Sequence, residues 1–353
     1  MVKIAIDVRE ACREKRTGKG QWTYGFTSEL LKRGALEVFL LSDQDVPANW
    51  RNSAAKIISF PKGLLWHFKV AKTLKTLSHL DLYLSPTSYI VPALIGKKVN
   101  VIPVVHDLIA FRSEPHDRKA VLIERCLLRR TLKKAAHVCT VSENTKKDLL
   151  KKFTFLKFET VTPIFAGPMR EDSELNTPDN KTILCAGTLS PRKNQLRLIE
   201  AYNSLPKTLR EKYQLVLVGG RGWDDRKIIE SVRASDGVTW KGHVTDDEYE
   251  ALMRTCTVLA LPSLYEGFGL QILDALKRGV PILTSKRGSI PEVVGDNAVF
   301  INPENSRDIA GGLEKILLDE TLRDGLRKRG PDHARRYSWQ HSVDLLLEAV
   351  HHI

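Results

Sequence analysis

Short β-branched runs alternate with amphipathic helical stretches along nearly all of this 353-residue chain, and that alternation limits its fold more than any other feature. Brief apolar runs followed by helix-length stretches with one apolar face are the pattern of parallel α/β construction. In the first half, strands are predicted at 2–7, 36–41, 55–59, 81–84, 99–105 and 137–140. Helices are predicted at 19–33, 63–78, 117–134 and 142–152. The second half follows the same plan, with strands near 181–186, 214–218, 257–261, 280–284 and 298–301. Its helices fall near 193–204, 224–234, 245–253, 269–278 and 305–318. Between the halves, 166–180 is polar, holds two prolines and has no apolar period, so it reads as a linker. Residues 337–350 read as a Ser-capped amphipathic helix. The expected fold class is α/β, in two domains at 1–165 and 181–336, with a terminal helix within 337–353.

The five cysteines, Cys12, Cys126, Cys139, Cys185 and Cys256, are scattered and form no CxxC, which argues against a disulfide framework or a zinc site. Cys139 and Cys185 stand in apolar runs and read as small buried residues. The first residues read as a buried strand rather than a signal peptide, and no apolar run approaches bilayer length, so a cytosolic protein is expected. Charge is uneven. Residues 1–180 hold 30 Lys and Arg against 19 Asp and Glu, a net of +11 out of the chain's +13. That excess concentrates anionic partners at the first half: nucleic acid, anionic lipid or anionic glycan.

Four segments carry the candidate chemistry. The first is Tyr265-Glu266-Gly267-Phe268-Gly269, which runs into an apolar-periodic helix that Gly279 ends, with Val280-Pro281-Ile282-Leu283 following as a strand. The glycines permit positive φ and close ligand approach, and the free N–H groups around Leu270 face an anion. Glu266 and Asp274, eight residues apart, flank that helix start, which suits a diphosphate with hydroxyls on either side of it. The second segment, Ile183 to Asn194, places Gly187 in a turn and the basic pair Arg192-Lys193 before a helix. A basic pair there opposes the helix dipole, and an anionic ligand offsets that cost. The third, Gly219-Gly220 after strand 214–218, is a glycine-rich strand end of the kind any Rossmann-like domain shows. The fourth pairs Gly18-Lys19-Gly20 with Val105-His106-Asp107-Leu108 in the first half. The glycine loop lacks the third glycine of a dinucleotide fingerprint, so NAD binding is not expected. His106 ends a buried strand, where open α/β sheets bind ligands. Either ring nitrogen can meet a ligand hydroxyl, and a histidine bonded to a nearby carbonyl is the structural alternative. His67, His79, His116 and His137 have no such setting and read as structural. Asp43-Gln-Asp45 looks like a metal-binding D-x-D but reads as a solvated turn before Pro47, and no metal is expected.

Together these segments resemble the family-four retaining glycosyltransferases, and the resemblance covers nearly the whole chain. Glu266 to Asp274 is similar to that family's E-x7-E segment, 183–194 to its G-x-L-x-P-R-K-N turn, 219–223 to V-G-G-x-G-W, and 105–108 to its H-D-L. There are departures. Asp274 stands where Glu is usual, Gln271 where Pro is frequent, and Thr188 where many members carry a second basic residue. The resemblance implies the GT-B fold, two Rossmann-like domains facing a central cleft, with the terminal helix crossing back to the first. It implies a donor site of Gly18, Gly20, Gly187, Gly219, Gly220, Gly267, Phe268, Gly269, Leu270 and Asp274, the last holding ribose. It also implies that Glu266 orients the transferred sugar, that His106 contacts it from the opposite domain, and that Arg192 and Lys193 stabilise the leaving diphosphate. His243 falls in the region that contacts the nucleotide base.

The expected activity is therefore metal-independent transfer of a hexose from a nucleotide-sugar to a glycan or lipid-linked acceptor. The segments look most like mannosyltransferases of bacterial surface-polysaccharide assembly, which favours GDP-mannose, with a UDP-hexose as the second choice. A non-catalytic anion or nucleic-acid binding protein is the competing class. It leaves the glycine-flanked acids unexplained and lacks interleaved exposed aromatics, so no nucleic acid is expected. Two basic amphipathic stretches, 62–75 with Lys69 and Lys72, and 125–134 with Arg125, Arg129, Arg130, Lys133 and Lys134, read as helices with solvated basic faces. Their sharper reading is attachment to the inner face of an anionic membrane.

Overall fold

The computed structural model describes residues 2–63, 65–77, 79–95, 99–112, 118–170, 174–178 and 180–351, with only the backbone at 118–120. His116 and residues 171–173 and 179 of the linker reading lie outside this set. The described residues divide into two compact units, one comprising those up to Met169 together with those from Tyr337 onward, the other Arg170–Arg336.

The first unit is built on a parallel sheet of seven strands: β1 (Val2–Asp7), β2 (Leu36–Ser42), β3 (Lys56–Ser59), β4 (Leu82–Ser85), β5 (Val101–Val105), β6 (Val138–Thr140) and β7 (Val161–Pro163). They lie in the order β3-β2-β1-β4-β5-β6-β7. The register runs from Val2 opposite Leu36 to Asp7 opposite Leu41, and from Ile4 opposite Leu82 to Ile6 opposite Leu84. β4 and β5 are buried throughout, as helices on both faces of a parallel sheet require. The second unit repeats the arrangement with β8 (Thr182–Ala186), β9 (Gln214–Val218), β10 (Val238–Trp240), β11 (Val258–Leu261), β12 (Ile282–Ser285) and β13 (Val299–Ile301). Their order is β10-β9-β8-β11-β12-β13. In each sheet the winding reverses beside the first strand, between β1 and β4 and between β8 and β11. Ligands of open α/β sheets bind outside the carboxyl ends at such points.

Local chemistry sets the helix ends. The Ser142 hydroxyl accepts from the Thr145 amide at 3.0 Å to open Glu143–Lys152. Thr245 and Glu248 form a reciprocal capping box on Asp246–Thr255. Helix Leu270–Arg278 ends as Gly279 takes φ +70°, with the Val280 amide on the Ala275 carbonyl and the Gly279 amide on that of Leu276. That is the double closure of a Schellman motif.

Several elements depart from the sequence reading. The three-residue strands β7 and β10 were not expected, because neither is long enough to show a period. Helix Glu320–Ala334 contains Gly325, Gly330 and Pro331, which disguise it as a loop. Its Gly330 packs tightly, since a Cβ there would come 3.0 Å from the Leu276 carbonyl oxygen. The stretch read as a linker is pinned where it is described. Asn176 is buried, and its amide nitrogen donates to the carbonyls of Met253, Arg254 and Cys256. Upstream, a Cβ on Gly167 would lie 2.5 Å from the Trp339 amide nitrogen, and the Trp339 indole donates to the Pro168 carbonyl at 2.8 Å. Trp339 also fills the space left by Gly25, which fixes helix Trp339–His351 onto the first unit. Cys139 and Cys185 are buried and all five cysteines are free thiols. No helix among the described residues is long and apolar enough to cross a membrane.

Candidate active site

The second unit gathers the 183–194 and 262–270 segments at the carboxyl ends of β8 and β11. Past β8, Gly187 takes φ +145°, and a Cβ there would press on Lys193 Cε at 3.3 Å. The bare backbone thus makes room for the lysine. Pro191–Lys193 form a 3₁₀ turn, closed by Asn194 in the left-handed region at φ +63°. The Asn194 amide nitrogen donates to the carbonyls of Pro262 and Pro303, and the Leu264 amide donates to the Arg192 carbonyl. The two loops are thereby locked together.

Glu266 is their common point. Its Oε1 accepts from Lys193 Nζ at 2.6 Å and Ser263 Oγ at 2.6 Å, and its Oε2 from Arg192 Nη1 at 2.8 Å. Arg192 also donates to the Tyr265 carbonyl. Both the amide and the hydroxyl of Ser289 donate to the Glu266 carbonyl at 3.0 Å. A Cβ on Gly288, at φ +59°, would stand 2.3 Å from that same oxygen, so only glycine fits beside it. Burial works against the Glu266 charge, but Lys193 and Arg192 outweigh it and hold the carboxyl down at about 2. For Lys193, burial prevails over Glu266 and its ammonium lies below the usual lysine range. Arg192 and Lys193 thus converge on one carboxylate.

The helix start beside this triad is short of anions. Leu270–Arg278 begins at Gly269 in a left-handed conformation, with no acid in its first turn. Ile272 and Leu273 return their amides to the Gly269 carbonyl, leaving those of Leu270 and Gln271 without an intrahelical acceptor. Gly220 has open space where a Cβ would be, whereas Gly219 is bare for packing, its Cβ position only 2.1 Å from the Gly187 carbonyl oxygen. Two basic side chains, helix-start amides and an open glycine edge at a switch point are the features that suit an anion. His243 is exposed. Phe268 and Leu270 are buried, so their contribution to the niche is through the backbone.

Asp274 requires a correction. It has no exposed surface: its Oδ2 accepts from Tyr249 Oη at 3.3 Å and its Oδ1 lies 3.5 Å from Arg278 Nη1, an arginine that also pairs with Glu250. One methylene shorter than glutamate, this side chain is drawn into the packing between Asp246–Thr255 and Leu270–Arg278. The reading of Asp274 as the ribose-holding acid gives way to that of a buried structural anchor.

In the first unit, His106 is buried at the end of β5 with Nε2 2.7 Å from the Pro86 carbonyl. A carbonyl only accepts, so Nε2 carries the proton. The expectation that either nitrogen is free is corrected to Nδ1 alone. Burial foremost, with Lys19 adding to it, pushes the imidazole down to about 3, so the ring is neutral. The edge of Trp22 packs against it at 5.5 Å between centroids. Gly18 opens helix Gly18–Leu30 with free space around it, whereas a Cβ on Gly20 would meet the Glu10 carbonyl oxygen at 2.5 Å. Of the other histidines, His137 bonds Thr162 Oγ1 at 2.8 Å and His67 lies 3.5 Å from Arg9 Nη2. Among the described residues no three His, Cys, Asp or Glu side chains gather as a metal would need, and Asp45 is exposed beside Arg51. Ser263 and Ser289 escaped the sequence reading because their work is to hold Glu266 and its loop, and short polar residues in loops advertise nothing.

Residues 169–333 match the glycosyl transferases group 1 family. The chain is 29% identical over 265 residues to O-antigen chain mannosyltransferase B of Escherichia coli, covering 70% of this chain and 69% of that protein. It is 34% identical over 171 residues to the serotype-specific mannosyltransferase WbdA of Escherichia coli, covering 47% of this chain but only 21% of WbdA. Among solved structures, HepE of Anabaena in complex with UDP and glucose superposes with a TM-score of 0.80 at 18% identity, covering 100% of both chains. Fold and sequence together define a GT-B glycosyltransferase. More particularly, residues 169–333 match the group 1 glycosyl transferases, and the chain is similar in sequence to mannosyltransferases.

Proposed function

We propose that this protein is a retaining hexosyltransferase that moves mannose from GDP-mannose to a glycan or lipid-linked acceptor. The observation that carries the reading is the buried Arg192–Glu266–Lys193 triad beside the uncapped start of helix Leu270–Arg278. As the bond between sugar and diphosphate breaks, negative charge grows on the leaving phosphate. Fixed donors already in place stabilise that charge without reorganising. Arg192, Lys193 and the amides of 267–270 supply them, so the reaction on this reading needs no metal. Glu266, ionised across the physiological range, accepts hydrogen bonds from the sugar and fixes its orientation. In the first unit, His106 has a neutral Nδ1 acceptor available for a saccharide hydroxyl. On the resemblance to family-four enzymes, the donor's own phosphate takes the acceptor proton on the face the leaving group vacates.

Mannose is favoured because the relative at 29% identity is an O-antigen chain mannosyltransferase and the one at 34% is a serotype-specific mannosyltransferase. A UDP-hexose is the second reading, supported by the UDP and glucose bound in HepE. The test is transfer from each nucleotide-sugar to a mannose-terminated oligosaccharide, with the product anomer read by NMR. An α-linked product from GDP-α-mannose is expected, and an inverted product or the absence of any transfer overturns the proposal.

The acceptor is proposed to lie at an anionic membrane surface on the cytoplasmic side. A groove of about 570 Å³ in the first unit is lined by Phe111, Arg125, Arg129, Lys152 and Phe153. Leu122 and Ile123 stand exposed on the same helix, and Leu65 and Phe68 stand exposed beside Lys69 and Lys72 on another segment. Basic side chains next to exposed apolar ones suit the headgroup boundary.

A further inference from the structure

The sequence hides one acid in a basic run, Glu124 in Ile123-Glu124-Arg125-Cys126-Leu127-Leu128-Arg129-Arg130. Helical spacing puts it on the face of Leu128, Thr131 and Leu132, which packs inward. It is 7% exposed, and its Oε1 is buried with no hydrogen-bond partner. An orphaned carboxyl oxygen in a native interior calls for an explanation, because desolvation without a bond costs free energy. Its neighbours are telling. Lys19 of the Gly18–Gly20 segment, Asp107 of the His106–Asp107 pair and Tyr89 all feel its charge. Arg125, next to it, is turned away onto the Ala110 carbonyl. Glu124 therefore lies within electrostatic reach of the two first-unit segments that carry Lys19 and Asp107.

We propose that Glu124 is a further substrate-positioning acid, which in its protonated form donates a hydrogen bond to a hydroxyl oxygen of the bound saccharide. The proposal rests on the glycosyltransferase reading for its link to turnover, though the contact itself requires only that the first unit bind a sugar. Burial, chiefly, with Asp107 in support and Lys19 opposing, lifts the carboxyl to about 7. The acid is thus half protonated near neutrality, and a protonated carboxyl has one O–H to donate where a carboxylate has none. Among the described residues, the charged groups that act on it are Lys19 and Asp107, and its own charge acts on Tyr89.

Two substitutions separate this role from a structural one. Glu124→Gln keeps a neutral N–H donor of the same shape, and Glu124→Ala removes it. In the wild type, kcat/KM for the acceptor should fall as pH rises through about 7. In Glu124→Gln that limb should vanish while activity stays within about threefold, and in Glu124→Ala kcat/KM should drop about tenfold or more, the scale of one lost hydrogen bond. A second readout needs no turnover. The Glu124 carboxyl ¹³C resonance, assigned by its loss in Glu124→Gln, should titrate near neutrality and shift when methyl α-mannopyranoside is added. A shifting resonance without transfer from any nucleotide-sugar would sink the transferase reading and keep the contact. A resonance indifferent to saccharide, a limb that persists in Glu124→Gln, or a Glu124→Ala variant within twofold of wild type overturns the proposal.

Discussion

Replacing Glu266 by glutamine keeps the shape of the side chain and removes only its charge, so the result measures what the buried triad contributes. Glu266 and Lys193 are each only 7% exposed, with their charged atoms 2.6 Å apart, so screening by water is slight. The carboxyl is held at about 2, against an ordinary 4.5. At about 1.4 kcal/mol per unit, that depression corresponds to roughly 3 kcal/mol of stability at neutral pH. Stranding the Lys193 ammonium without a counter-charge gives a similar figure, about 3–5 kcal/mol. For a unit of this size, roughly 2–4 °C is lost per kcal/mol, so the melting temperature should fall by about 6–12 °C. The sign of the pH dependence follows from a depressed acid. Its stabilisation is fully present above about 4.5 and disappears as pH falls toward about 2, where the wild type also carries a neutral carboxyl. Urea denaturation of both proteins from pH 7 down to pH 3 should show the widest gap at neutrality and a closing gap below about 4.5. Equal stability at pH 7, or a gap that stays constant into acid, would refute the triad as an energetic unit.

Three further outcomes are expected. Asp274→Ala should cost about 2–4 kcal/mol in urea denaturation by leaving Tyr249 without its carboxylate partner and Arg278 with Glu250 as its remaining acid, while GDP affinity of the folded variant, read by calorimetry, stays within about twofold; a selective loss of GDP binding would restore the ribose contact. His106→Gln retains a donor for the Pro86 carbonyl but loses the Nδ1 acceptor, so kcat should drop about tenfold with little change in melting temperature, and unchanged kcat would make the ring purely structural. The first unit should bind phosphatidylglycerol-containing vesicles at low salt and release them as salt rises, at about 1 kcal/mol per basic residue near the surface; sedimentation showing no binding would leave the basic faces merely solvated.

The parallel architecture was legible because fully buried strands such as Val258–Leu261 and Ile282–Ser285 stand out as apolar runs between glycine and proline punctuation. The convergence of the candidate segments was legible in part, because Gly187 and Gly269 take positive φ and Arg192 and Lys193 meet at Glu266. What stayed hidden depends on side-chain direction. Nothing in the residue order says that Asp274 turns inward to Tyr249, that His106 gives its Nε2 to Pro86, or that Glu124 faces the sheet rather than solvent. Tertiary contacts fix those choices. Helix Glu320–Ala334 was missed for the opposite reason, as packing of Gly330 against the Leu276 turn overrides poor local propensity.

The most direct test of a nucleotide-sugar site in the second unit is calorimetric titration of GDP-mannose into the wild-type protein with excess chelator present, set beside UDP-glucose. One molecule per chain should bind without any divalent metal, with GDP-mannose the tighter of the two, and GDP alone should retain most of the affinity because the diphosphate meets Arg192, Lys193 and the amides at 267–270. No heat with either nucleotide-sugar, or binding that appears only when Mg²⁺ or Mn²⁺ is restored, would contradict it.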